Sequence, residues 1–182
     1  MTVYAEAIPG DPTVQQQLIK QLQLVAHPEG GFYRETYRSE AMVERVEPAG
    51  AGIARSASTA IYYLLCDGAY SAWHRIKSDE VWHFYAGGVL AVHVLDPLGQ
   101  CVTHRLGNPL VHGADVGFQA VVPAGCWFAA ECSEAHAYAL AGCTVAPGFE
   151  FSEFELADLR VLQRDYPAHR ALIDRLGHRA GG

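Results

Sequence analysis

Cysteine is scarce in this sequence and does not pair up. Cys66, Cys101, Cys126, Cys132 and Cys143 make an odd number with no Cys-x-x-Cys spacing. That pattern speaks against a disulfide framework and a structural zinc site, and leaves small core side chains in a reducing compartment. Long apolar runs are missing too. No charge-free run exceeds that from Val116 to Ala130, which is too short to cross a bilayer and is interrupted by Gly117, Pro123 and Gly125. Basic charge is in short supply, 13 Lys and Arg against 20 Asp and Glu for a net charge of −7, and no basic cluster interleaves with aromatics. Neither nucleic acid nor membrane is therefore an expected partner. The opening residues show no basic segment followed by an apolar one, so the expected address is the cytoplasm.

What is present suits a β-rich globule. Half of the 182 residues are apolar and 18% are charged, a mixture that buries enough surface to offset the entropy of ordering. One domain over residues 1–182 is expected. Asp11 as cap, Pro12 at the first helical position and the stripe Val14, Leu18, Leu22 and Val25 predict a helix over about 12–25. His27-Pro28-Glu29-Gly30-Gly31 reads as a turn and 32–39 as the first strand. Residues 44–55, rich in Gly and Pro and lacking periodicity, read as a mobile loop. Eight short apolar or alternating runs follow, at 58–65, 71–76, 80–85, 89–95, 101–106, 119–122, 126–131 and 137–145. Their number and spacing predict a sandwich or barrel with its core at about 27–150. Leu156, Leu159, Leu162, Leu172, Ile173 and Leu176 then predict short helices at about 155–178, packed outside the barrel.

Two spacings carry a resemblance. Gly68, five residues, His74-Arg75-Ile76, three residues, Glu80, six residues and Gly87 resemble the first motif of the cupin superfamily, with Ile76 where a second histidine would stand. Gly117, Pro123 and Gly125 resemble its second motif, with Phe128 in place of a histidine and Cys132 in place of an asparagine. The stretches HPEGGFYRETYRS, STAIYYLL, WHRIKSDEVWHFYAG, VPAGCWFAAE and GCTVAPGFEF resemble the cupin-5 family, whose members largely lack an assigned function. The resemblance spans residues 27–156. It implies an all-β fold, a double-stranded β-helix or jelly-roll barrel, usually as a homodimer.

The superfamily's metal sites use three histidines and a carboxylate, of which this chain keeps His74 and Glu80. No cofactor is therefore expected, and a divalent metal, if one binds, would rest on those two. His83 and His93 read as surface or interface histidines, because an inward Glu80 puts Trp82 and Phe84 inward and His83 outward. A histidine and a carboxylate sharing a pocket suit general base chemistry. By resemblance to metal-free sugar-nucleotide epimerases of this fold, His74 is the candidate base, Glu80 its orienting group and Tyr63 the candidate acid. Thr59, on the face of Tyr63, joins Glu35, Gln119 and Trp127 as ligand-binding candidates. The expected function is a small-molecule-binding protein with metal-independent isomerase or epimerase chemistry on a carbohydrate or similar polar substrate. The alternatives are a non-catalytic ligand-binding or sensor module and a dioxygenase-like metalloenzyme with an unusual ligand set.

Overall fold

A computed structural model of the chain describes residues 13–46, 52–134 and 137–178. The chain order is α1 (Val14–Gln21), β1 (Val25–Ala26), β2 (Phe32–Arg38), β3 (Met42–Val46), β4 (Gly52–Ser56), β5 (Thr59–Leu65), β6 (Tyr70–Arg75) and β7 (Asp79–Gly87). There follow β8 (Leu90–Leu95), β9 (Cys101–Leu106), α2 (Pro109–His112), β10 (Gln119–Val122), β11 (Trp127–Cys132), β12 (Ala139–Ala146), β13 (Glu155–Leu156), α3 (Leu159–Asp165) and α4 (Arg170–Arg175). A six-stranded antiparallel sheet, β1-β2-β5-β12-β7-β10, faces a five-stranded one, β13-β6-β11-β8-β9. The result is an all-β jelly-roll barrel with small helices outside it.

Strand alternation builds the core. On β7, Glu80, Trp82 and Phe84 are buried while His83 and Tyr85 face away, as a period of two requires. They meet Tyr63, Leu65, Ile76, Val92, Val94, Phe128, Ala141 and Cys143 from the neighbouring strands. Trp82 and Phe128 are almost wholly buried, and each such side chain contributes about 2–3 kcal/mol of burial. A second cluster sits on the outer face of the five-stranded sheet, where Trp73, Leu95 and Ala129 are covered by Leu162, Ile173 and Leu176 of the C-terminal helical segment. A third lies under α1, with Leu18 and Leu22 against Phe32, Leu64 and Leu140. No helix among the described residues is long and apolar enough to cross a membrane.

Three expectations change. Helix α1 is capped by Thr13, whose hydroxyl accepts from the Gln16 amide, and Val25 belongs to a strand; Asp11 and Pro12 lie outside the described residues. The predicted mobile loop at 44–55 is in large part a hairpin, since β3 pairs with β4 from Met42↔Ser56 to Val46↔Gly52. The reason is ionic, because Arg45 and Arg55 both reach Glu153, which is buried. Residues 47–51 lie outside the described residues. His93, expected at the surface, is buried on the outer face of the five-stranded sheet, hydrogen-bonded to Thr103 and Glu131.

Candidate functional site

Between the two sheets lies a cavity of about 120 Å³. Its floor is made of ionisable groups. His74 comes from β6 and Glu80 from β7, and the turn 27–31 contributes His27 and Glu29. Phe149, Phe151 and Phe154, from the segment after β12, close it with Tyr33 of β2.

The turn reaches the site because its glycines let it lie against β6. Gly30 and Gly31 both have positive φ, and a Cβ on Gly30 would stand 2.1 Å from the Tyr70 carbonyl oxygen, so only glycine fits. The Ala72 amide donates to the Glu29 carbonyl at 3.0 Å. A register shift between Phe128 and Ala130 places Ser71 across from Ala130, one extra residue on β6 that turns Ser71 inward. Its hydroxyl donates to Glu29 Oε1 at 2.9 Å.

His74 sits 3.1 Å from the same carboxyl, Nε2 to Oε2. Its Nδ1 lies 2.8 Å from the Ala72 carbonyl oxygen, which only accepts, so Nδ1 carries a hydrogen. Nε2 and Oε2 therefore need one proton between them. Burial decides where it rests: it lowers His74 to about 4, against the partial offset of the Ala72 carbonyl, and it raises Glu29. The favoured resting state is a neutral carboxylic acid donating to a neutral imidazole, since two separated charges are costly in so dry a place. Glu80 is pushed up to about 8 by burial and by the Glu29 carboxyl, with the Cys143 thiol pulling the other way. It too carries a proton at neutral pH. His27 is lowered by burial, and its Nδ1 accepts from the Glu29 amide at 3.3 Å.

The sequence-selected residues divide in two. His74, Glu80, Glu35 and Thr59 line the cavity. Glu35 pairs with Arg38 at 2.8 Å, and both line the cavity because a bulge between Glu35 and Tyr37 resets the alternation of β2. Thr59 accepts from the Phe149 amide at 3.0 Å and anchors the aromatic cap. Tyr63 is on the inner face, but its hydroxyl donates to the Gly30 carbonyl at 2.7 Å and it is not in the cavity lining; it braces the turn. Gln119 and Trp127 face away. Ala120 and Val122 take the inner positions of β10, leaving Gln119 outside against His83 at 2.8 Å. An inward Phe128 likewise puts Trp127 outside, 4.4 Å beneath the Arg75 guanidinium. The carboxyl within hydrogen-bond reach of His74 is that of Glu29, which the sequence reading left in a turn.

The barrel and its inward His and Glu at the first-motif positions define a cupin. The chain belongs to the Cupin_5 family, described as Cupin superfamily (DUF985), whose model matches residues 16–157. It is 32% identical over 156 residues to the uncharacterized protein YML079W of Saccharomyces cerevisiae, covering 80% of this chain and 76% of that protein. Among solved structures it resembles protein SO0799 from Shewanella oneidensis, at 38% identity and TM-score 0.77, over 89% of this chain and 96% of that one. It also resembles a hypothetical protein from Leishmania major, at 33% identity and TM-score 0.78, over 90% and 98% of the two chains.

Cupins often bind a metal, and the residues here do not fit one. Ile76 and Phe128 fill two of the motif's ligand places and are packed in the core. Both ring nitrogens of His74 already have partners. Among the described residues no group of three or more His, Cys, Asp or Glu is arranged to hold an ion.

Proposed function

We propose that this protein binds a small molecule in the cavity and moves a proton on it without a metal, as an isomerase or epimerase of a small polar carbonyl compound, a carbohydrate fragment among them. The observation that supports this is the 3.1 Å Glu29–His74 contact in a cavity that Glu80 also lines. The pair and Glu80 are two proton carriers in one dry space. Shifting the shared proton onto His74 frees a Glu29 oxygen to accept one from carbon. The C–H bond breaks, its proton goes to Glu29, and its electron pair moves into the adjacent carbonyl as an enolate. Glu80 then gives its proton to the carbon to form the new C–H bond, and the pair's surplus proton returns to Glu80. Nothing is oxidised or reduced. A volume of about 120 Å³ is below the roughly 150 Å³ that accommodates benzene, so a few-carbon substrate fits and a whole sugar nucleotide does not.

The test is carbon–hydrogen exchange. The protein is incubated in D₂O with a panel of small hydroxyketones and aminoketones while the α-proton NMR signals are followed. Exchange by the native protein and its loss in Glu29→Gln are expected. A ligand that binds without exchange would instead support a non-catalytic binding module, which the full hydrogen bonding of His74 also favours.

A further inference from the structure

The cavity lining is rich in carboxyl groups. Four carboxyl side chains, Glu29, Glu35, Glu80 and Glu150, face it against one guanidinium, Arg38. Four of its five N–H donors are engaged: Nε and Nη2 donate to Glu35, Nη1 donates to Glu150, and Nη2 also donates to the Phe149 carbonyl. A carboxylate or phosphate entering here meets, among the described residues, a guanidinium already shared by two carboxylates. The aromatic wall is of the opposite use, because the ring faces of Tyr33, Phe149, Phe151 and Phe154 are negative and attract positive charge. Glu80, 7% exposed, lines the cavity beside the Cys143 thiol, and among the described residues no Lys, Arg or His is paired with it.

We propose that the ligand of this cavity is a small organic cation, an alkylammonium or amidinium with fewer heavy atoms than benzene, held between the Glu80 carboxyl and the aromatic cap. The assignment takes its location from the acid–base reading but does not need the chemistry. An ammonium supplies the countercharge that a buried carboxylate lacks, and so draws Glu80 into its ionised form. The other titratable or charged groups that line the cavity with Glu80 are the Glu29 and His74 pair, His27, Tyr33, the Cys143 thiol, and Arg38 with its partners Glu35 and Glu150. His27 and His74 are held neutral by burial, and Glu80 is raised to about 8, so below that pH the cation's arrival releases a proton.

Titration calorimetry on the full chain tests this with n-butylammonium, n-butanol and butyrate. Butylammonium is expected to bind about tenfold more tightly than either competitor. Heats at pH 7 in buffers of different ionisation enthalpy should show about one proton released per amine. Glu80→Gln should remove both the preference and the release, and Phe154→Leu should lower the ratio of butylammonium to butanol affinity. Equal or tighter binding of butanol or butyrate overturns the proposal, as does no binding of the amine or a preference that survives in a folded Glu80→Gln. Amine binding without carbon exchange defeats only the isomerase reading. Exchange on neutral or anionic carbonyl compounds without any cation preference defeats only this one.

Discussion

Two histidine–glutamate pairs in this molecule share one distance and differ in everything around it. His74 Nε2 lies 3.1 Å from Glu29 inside the barrel, and His93 Nε2 lies 3.1 Å from Glu131 on the outer face of the five-stranded sheet. The outer pair is tied down: Arg175 of α4 grips the other Glu131 oxygen, and Thr103 holds His93 Nδ1 at 2.8 Å. The Glu131 side chain is 21% exposed against 7% for Glu29. With a guanidinium and solvent nearby, the Glu131 negative charge is compensated, and the pair docks a helix. The inner pair has no guanidinium on its carboxyl and opens on a cavity, so its single proton is what can move. The proposed proton transfer rests on the missing countercharge and not on the pair itself.

The largest effect that separates the pairs is on carbon exchange. Glu29→Gln is expected to lower it by about 10²-fold or more, and Glu131→Gln to leave it unchanged, by NMR in D₂O. The next is on stability. His74→Ala removes a ring packed on Phe128 at 4.0 Å and Phe154 at 5.1 Å and strands the Glu29 carboxyl, so a loss of about 2–4 kcal/mol is expected in denaturant unfolding. Arg175→Ala, at an exposed ion pair, should cost less than about 1 kcal/mol.

The third effect is on pH dependence. Glu80 is raised from 4.5 to about 8 on folding, so its contribution is fully present below 4.5 and is lost as pH rises through about 8. His74 is lowered from 6.5 to about 4, so its contribution is present above 6.5 and is lost as pH falls through about 4. Melting curves of the parent and Glu80→Gln should therefore diverge on the alkaline side and converge near pH 4.5. Equal slopes throughout would place Glu80 in a wetter site than the cavity provides. The smallest effect is expected at Gln119→Ala on the outer face, within about 0.5 kcal/mol and without change in ligand binding.

Sequence patterning made the barrel legible because alternation and turn glycines are local signals. Gly68, His74, Glu80 and Gly87 fell at motif spacing, and the inward set Glu80, Trp82 and Phe84 followed from period two. The same parity, applied from Phe128, would have placed Trp127 outside. Bulges are harder, since the shift at Glu35/Tyr37 that brings Arg38 to the cavity leaves no mark in composition. Glu29 was illegible for another reason. A turn's residues name the turn but not the strand it folds against, and Glu29 acquires its role through Ser71 and His74, 42 and 45 positions away along the chain. The usable signal was Gly30-Gly31 directly after a charged residue, which marks a close backbone approach.

The clasp of Arg45 and Arg55 on Glu153 adds a separation of duties. Glu153 is held at about 2 chiefly by its hydrogen bond to Arg45, with Arg55 adding to it, and it directly precedes Phe154 of the cap. The hairpin thus anchors the segment that carries the aromatic cap, while the barrel floor carries the His74 and Glu80 side chains.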